Sequence, residues 1–305
     1  MKIGIPSALI IEKHPRLWTT FFEELGLDVV SSGKTTRKIM DLGLANAEDE
    51  TCLPVKYFIG HCLALKDKCD FVFVPRYFSL YKRGWGCPKF FCPPDLLENV
   101  YDTPILTVMV GREYESGILF ENHLEEALIT LGKKLGKDEG VIGKVVEVAI
   151  SAESEYEKRL RDEYFKLIKS RKDKILLVSH EYILNDDLLN MGIADMLKEL
   201  GAEPILIDTV PFKYEERFSE PLFWMRWDFG VMMMERLKKA LSHVQGVIQL
   251  TTFGCGPDSF LVEFVKEECD KAQKPYMKLM LDEHSSREGM RTRAEAFLDT
   301  LRMRR

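Results

Sequence analysis

The sequence predicts an α/β protein of two similar halves, each a parallel sheet covered by helices on both faces. Short, nearly all-apolar strands alternate with helical segments along the 305 residues, the pattern of strands buried on both sides. The pattern then repeats. Lys2 maps onto Lys174, Asp70 onto Gly246 and Pro104 onto Pro275, a shift of 171 to 176 residues at three elements. A shift so nearly constant is the mark of an internal duplication.

Residues 2–30, KIGIPSALIIEKHPRLWTTFFEELGLDVV, read as an apolar strand, a loop, an amphipathic helix and, after Gly26, a second strand. Residues 174–207 repeat that order, with Gly201 after Glu199-Leu200 as Gly26 follows Glu24-Leu25. Glycine at each helix end supplies the left-handed residue that stops it. Pro54 suits the first turn of a helix running on through Leu65, which puts Cys52 at that helix's N-terminus. Its second-half counterpart lies around Glu220-Pro221-Leu222-Phe223-Trp224 and carries no cysteine. The strand at 70–75 corresponds to 246–251, and that at 103–110 to 274–281.

Between the halves, Tyr156, Leu160, Tyr164 and Leu167 recur at helical spacing among charges of both signs. This reads as a connecting helix that packs one narrow stripe. Ser285-Ser286-Arg287-Glu288 reads as a capping box opening the last helix. The expected domains are 1–150, a charged connecting helix at 151–173, and 174–305 with a C-terminal helix.

Apolar residues at 46% and charged residues at 30% describe a globular chain rather than a disordered one. No apolar run approaches the ~20 residues that span a bilayer, and Met1-Lys2-Ile3-Gly4-Ile5-Pro6 reads as a strand, not a signal peptide. The expected location is the cytoplasm, with no membrane partner. A net charge of −6 argues against a general nucleic-acid binder, which needs excess cations. The basic end at 302–305 reads as a solvated tail. Seven cysteines in a reducing compartment are expected to be thiols, metal ligands or catalytic groups rather than disulfides.

Ligands of open parallel sheets bind beyond the carboxyl ends of the strands. Cys87, in a loop rich in glycine and aromatics, follows the strand at 70–75, and Cys255 follows its counterpart on Phe253-Gly254-Cys255-Gly256-Pro257-Asp258. Glycines there let the backbone approach an inorganic core closely. Cys52 is the third candidate, because a helix N-terminus favours a thiolate. Cys92, five residues beyond Cys87, is a further one. Cys62, Cys69 and Cys269 read better as small buried apolar residues. The chain has no CxxC pair, which disfavours a compact zinc finger. Spacing alone leaves a metal site and incidental thiols both open.

At these residues a family becomes recognisable. Cys52-Leu53-Pro54-Val55-Lys56, Cys87-Pro88-Lys89, Phe253 to Ser259 and Asp282-Glu283-His284 resemble the acyl-CoA dehydratase activase-related proteins. Those are similar to the 2-hydroxyacyl-CoA dehydratase subunits, including the 2-hydroxyglutaryl-CoA dehydratase D-component, and to the double-cubane cluster proteins. The resemblance runs from KIGIPSAL to REGMRTRAEAFLD. It implies two Rossmann- or flavodoxin-like domains with a cleft between them. It also implies one oxygen-sensitive iron–sulfur cluster, 4Fe-4S or double cubane, ligated by Cys52, Cys87 and Cys255. In such subunits the first two ligands lie a few dozen residues apart and the third far downstream. Here the separations are 35 and 168 residues.

The implied partners are an ATP-hydrolysing activator or reductase of actin-like fold, which injects low-potential electrons, and a homologous subunit in a homo- or heterodimer. The chain has no Walker-type phosphate loop, so ATP hydrolysis is expected on another polypeptide. The implied activity is electron transfer to a small substrate or an acyl-CoA, as a component of a reductase or dehydratase system. His14, His180, Glu181, Asp282 and His284 follow strand ends and are candidates for proton or hydrogen-bond donors beside the cluster; capped turns would explain them as well. Arg76 and Lys89 are candidates for holding an anionic substrate, against the commoner role of solvated charges. The competing readings are a non-redox protein holding zinc through the same three cysteines, and a small-ligand binder with incidental thiols.

Overall fold

The structure, a computed structural model, describes residues 1–80, 84–111, 114–115, 118–119, 123–212 and 227–303. Packing divides the chain into two compact units, Met1–Tyr156 with Arg226–Asp228, and Glu157–Met225 with Phe229–Arg305. The expected helix around 220–224 and the last two residues of the basic tail lie outside the described residues.

The first unit contains β1 (Lys2–Ile5), α1 (Pro15–Glu24), β2 (Asp28–Ser31), α2 (Arg37–Asn46), α3 (Leu53–Ala64), β3 (Phe71–Phe73) and β4 (Arg76–Tyr77). There follow α4 (Pro88–Phe91), α5 (Pro93–Glu98), β5 (Ile105–Leu106), β6 (Met109–Val110), β7 (Tyr114–Glu115), β8 (Ile118–Leu119), α6 (His123–Lys134) and α7 (Glu139–Leu167), whose residues from Glu157 on belong to the second unit. Its sheet has the order β2-β1-β3-β5, parallel throughout. The strand expected at 70–75 is formally interrupted at Pro75, which has no N–H. The ladder nevertheless continues, because Val72, Val74, Arg76 and Phe78 donate in turn to the carbonyls of Pro104, Leu106, Val108 and Val110.

The apolar stripe of α1 builds one side of this core. Trp18 and Phe22 pack on Phe73 with ring centroids 4.8 and 5.0 Å apart. Helix α3 is mostly apolar, and every residue from Leu53 to Cys62 is buried, Lys56 and His61 included, as a helix of largely apolar composition requires. It lies against α2 at backbone contact. A methyl on Gly43 would sit 1.9 Å from the Lys56 carbonyl oxygen, and one on Gly60 2.0 Å from that of Ile39. His61 of α3 is fully buried between Ser32 Oγ, 2.7 Å from Nδ1, and Thr35 Oγ1, 2.8 Å from Nε2.

The second unit contains β9 (Lys174–Val178), α8 (Glu181–Leu184), α9 (Ile193–Glu199), β10 (Glu203–Leu206), α10 (Asp228–Ala240, its first residue in the first unit), β11 (Gly246–Thr252), α11 (Gly256–Lys271), β12 (Tyr276–Leu281) and α12 (Arg287–Met303). Its sheet, β10-β9-β11-β12, is also parallel throughout and has the same permutation as the first. Both β3 and β11 are interior strands, as the duplication requires. The helix ends match as well. Gly26 (φ 73°) and Gly201 (φ 84°) are left-handed, and each opens the same pair of bonds: Gly26 to Glu23 with Leu27 to Phe22, and Gly201 to Lys198 with Ala202 to Leu197.

Two expectations shift. The charged segment at 151–173 is not a separate helix but the C-terminal part of α7, which begins at Glu139. The cap of α12 is Ser286, whose Oγ accepts from Gly289 N at 3.2 Å. Ser285 instead bonds Asp282, so no capping box forms. Among the described residues, no helix is long and apolar enough to cross a membrane.

Candidate metal centre

Four of the seven cysteines occupy one kind of position. Cys52 is the N-cap of α3, Cys87 of α4, Cys92 of α5 and Cys255 of α11, and each is followed by proline at the first or second helical residue. In none does the thiol accept a hydrogen bond from its own helix. All four are partly exposed. The remaining thiols are different. Cys62 and Cys269 are fully buried. Burial pushes the Cys269 thiol up to about 12 and that of Cys62 well above its ordinary value, with Cys69 adding to the latter. Burial also raises Cys69, whose Sγ lies 3.4 Å from the Leu65 carbonyl oxygen.

In the second unit the sheet order reverses between β9 and β11, the crevice where open α/β sheets bind ligands. His180 leaves the carboxyl end of β9, and Cys255 and Asp258 leave that of β11 through the first turn of α11. One ligand atom from each of these three lies within 4.8 Å of the others. Among the described residues this is the one group of three metal-type side chains so assembled. His180 Nε2 and Asp258 Oδ1 are 2.9 Å apart, and both residues are buried. The imidazole is held by Tyr182, stacked at 5.0 Å and 6°, and by the edge-on ring of Phe229 at 5.4 Å. Ser179 Oγ donates to the Leu250 carbonyl at 2.8 Å, tying the two strand ends together.

The other candidates are placed as follows. His14 is buried against Tyr77, and its Nδ1 lies 3.8 Å from Glu153 Oε1. The other oxygen of Glu153 accepts from the N–H groups of Arg16 and Leu17 at 3.0 and 2.8 Å, so this carboxylate caps α1. Glu181 is buried and pairs with Arg236 at 3.5 Å. Asp282 organises a turn by accepting from His284 N and Ser285 Oγ, and the His284 side chain is exposed. Arg76 is engaged within the protein. Its guanidinium pairs with both oxygens of Asp95, donates to the Phe91 carbonyl and lies over the Phe91 ring. Asp95 holds the guanidinium above its ordinary range, and Arg76 holds the Asp95 carboxyl below its own. Lys89 is half-exposed in the last turn of α4. Asp258 and Glu153 were given no role by sequence reasoning. For Asp258 the available signal was its position three residues after Cys255, which returns it to the same helical face.

A family model for the CoA enzyme activase uncharacterised domain (DUF2229) matches residues 2–210. The chain belongs to this family. Residues 222–301 match the model for the 2-hydroxyglutaryl-CoA dehydratase D-component, so the activase-type match contains Cys52 and Cys87, and the dehydratase-type match contains Cys255. No curated protein matches the chain. Among solved structures, a FpvC mutant from Pseudomonas aeruginosa aligns over 100% of both chains at 13% identity and a TM-score of 0.26. The laminin-binding protein Lmb of Streptococcus agalactiae, described as an adhesin with metal-transporting activity, aligns over 98% of both chains at 11% identity and 0.25. The laminin-binding protein Lbp of Streptococcus pyogenes gives 98% of both chains, 10% and 0.26. Scores so low carry no argument about this chain.

Proposed function

We propose that this activase-family chain is the iron–sulfur component of a CoA dehydratase-type redox system. In this reading Cys52, Cys87 and Cys255 ligate one oxygen-sensitive cluster. A separate ATP-hydrolysing activator of actin-like fold supplies its low-potential electrons, and the target is a small substrate or an acyl-CoA. The observation that carries the reading is the shared placement of the three thiols. Each is a partly exposed N-cap in extended conformation followed by a first-turn proline, while the thiols of Cys62 and Cys269 are fully buried.

Thiolate sulfur is the donor such clusters take, so the residues present fit the group. A bound cluster supplies one-electron transfer at low potential and, with three thiolates on four irons, one open coordination position. The chain's own contribution is to bind and orient. Each thiol caps a helix start, and the first-turn amides of α3 and α11 place partial positive charge beside Cys52 and Cys255, which favours their thiolates. Cys92 lies one helical turn past Cys87 and is the natural substitute for it. His180 and Asp258 stand beside Cys255 and fix its surroundings.

The test is anaerobic reconstitution, reading iron and sulfide per chain and visible absorption. Cys52→Ala, Cys87→Ala and Cys255→Ala should each lose the absorption, with Cys255→Ala losing it most completely because no other thiol is near it in sequence. Cys269→Ala should lose stability but not iron. Equal iron in all four variants would sink the assignment.

A further inference from the structure

We infer that the second unit by itself binds one divalent transition-metal ion through His180, Cys255 and Asp258. This site goes beyond the cluster reading, because it needs neither Cys52 nor Cys87.

An imidazole nitrogen, a thiol sulfur and a carboxylate oxygen lie within 4.8 Å of one another, at the sheet's reversal point. Nitrogen and sulfur donors select zinc, ferrous iron or cobalt over magnesium and calcium. Three protein ligands leave a fourth position for water, as in sites that do chemistry rather than hold structure. The 2.9 Å between His180 Nε2 and Asp258 Oδ1 is close to the edge of a tetrahedron with bonds of about 2.0–2.1 Å, which is about 3.3 Å. The nitrogen–oxygen edge is thus near a coordinated one, and the sulfur lies within 4.8 Å of both.

Asp258 is 2% exposed. Its Oδ1 meets His180, but its Oδ2 is buried with no hydrogen-bond partner among the described residues. A buried acceptor left so is costly, more when it is charged. A divalent ion replaces the His180–Asp258 hydrogen bond, gives the buried carboxylate a cation to face, and balances the charges of the thiolate and the carboxylate, with His180 neutral. Binding releases the Cys255 thiol proton to solvent. The donors are also preorganised. Tyr182 and Phe229 clamp the imidazole, and Cys255 and Asp258 share the first turn of a 16-residue helix. The donors are therefore held by regular elements, as a metal site requires.

The ion and the cluster would compete for Cys255, so the test uses full-length, cluster-free, chelator-stripped protein with its thiols reduced. Cobalt(II) is the probe, because a thiolate–cobalt bond gives a near-ultraviolet charge-transfer band and tetrahedral coordination gives intense visible bands. The expected result is one cobalt per chain with both features. Asp258→Asn, close to the wild type in shape, and His180→Gln should each weaken binding by at least ~10–100-fold, the loss seen even for outer-sphere partners. Cys255→Ser, at a partly exposed position, should abolish the charge-transfer band and decides the matter if the buried variants fail to fold. The double variant Cys52→Ala/Cys87→Ala should bind cobalt as the wild type does, although it cannot build the proposed cluster. The two readings therefore fail separately. No cobalt bound, cobalt bound without the thiolate band, or equal affinity in folded Asp258→Asn would overturn the site and leave His180–Asp258 as a buried pair. Loss of binding in the double variant would overturn it too, by moving the ligands to the other thiols.

Discussion

His61 makes the acid stability of the first unit a direct test of how its core is built. The imidazole has no exposed surface and is bonded at both nitrogens by hydroxyls that follow β2. Burial takes its pKa from 6.5 down to about 4, because a charged ring there would lose its hydration. Above the higher value the ring is neutral in both folded and unfolded chains, and its contribution is complete. Between 6.5 and about 4 the unfolded chain takes up a proton that the folded chain refuses, so stability falls as pH falls. Below that window both states are protonated and the loss levels off. Each pH unit is worth ~1.4 kcal/mol, so the window amounts to about 3 kcal/mol. That is a large share of the ~5–15 kcal/mol that holds a typical domain folded. The assay is urea denaturation at half-unit steps from about pH 8 to about pH 4, for wild type and His61→Gln. Carboxylates titrate in both chains, so the difference between the two stability curves isolates His61. The advantage of the wild type should be greatest above the window and shrink by about 3 kcal/mol across it. A difference independent of pH would refute the reasoning, since it would mean that the folded chain accepts the proton as readily as the unfolded one.

Two further outcomes follow from the same unit. Gly43→Ala and Gly60→Ala each drive a methyl into backbone of the facing helix at 1.9 and 2.0 Å; each should cost ~1–3 kcal/mol by overpacking, read as a lowered denaturation midpoint with unchanged slope. Glu153→Ala strands the Arg16 and Leu17 N–H groups at the start of α1 and should cost ~1–3 kcal/mol, measured the same way, with little effect on metal content.

The frame of the protein was legible because it rests on local chemistry that repeats. Gly26 and Gly201 end equivalent helices with the same bonds, and the strands at 70–75 and 246–251 are interior in both sheets. Periodicity and glycine placement report such features directly. The α12 cap was read one residue early because two serines stand side by side, and sequence does not say which hydroxyl meets the helix and which closes the Asp282 turn. Helix α7 was read as beginning at 151 because charge density marks only its solvated end; the segment from Glu139 carries apolar residues at Ile142, Val145, Val146 and Ala149 that are buried. At the site, Cys255 and His180 were singled out from loop chemistry, but Asp258 was not. Its role depends on β9 and β11 lying side by side, a non-local fact that spacing along the chain does not encode.

The duplication also explains why similar residues do different work in the two units. Each unit has a histidine after its first strand that meets a carboxylate: His14 with Glu153 at 3.8 Å, and His180 with Asp258 at 2.9 Å. In the first unit the histidine arrives only after the intervening 3-10 turn Leu9–Lys13, and the free oxygen of Glu153 is committed to two backbone amides of α1. That oxygen is spent on capping α1, and among the described residues no third metal-type side chain joins His14 and Glu153. In the second unit the histidine follows the strand at once, and Asp258 comes from the helix that begins at Cys255. There one carboxylate oxygen has no hydrogen-bond partner among the described residues, and a thiol stands within reach. The two pairs look alike in space as a histidine facing an acid from a distant part of the chain. They differ in what stands beside them: Glu153 caps a helix through two backbone amides, whereas Asp258 and His180 share their place with the Cys255 thiol, and that difference separates a helix cap from a site able to hold an ion.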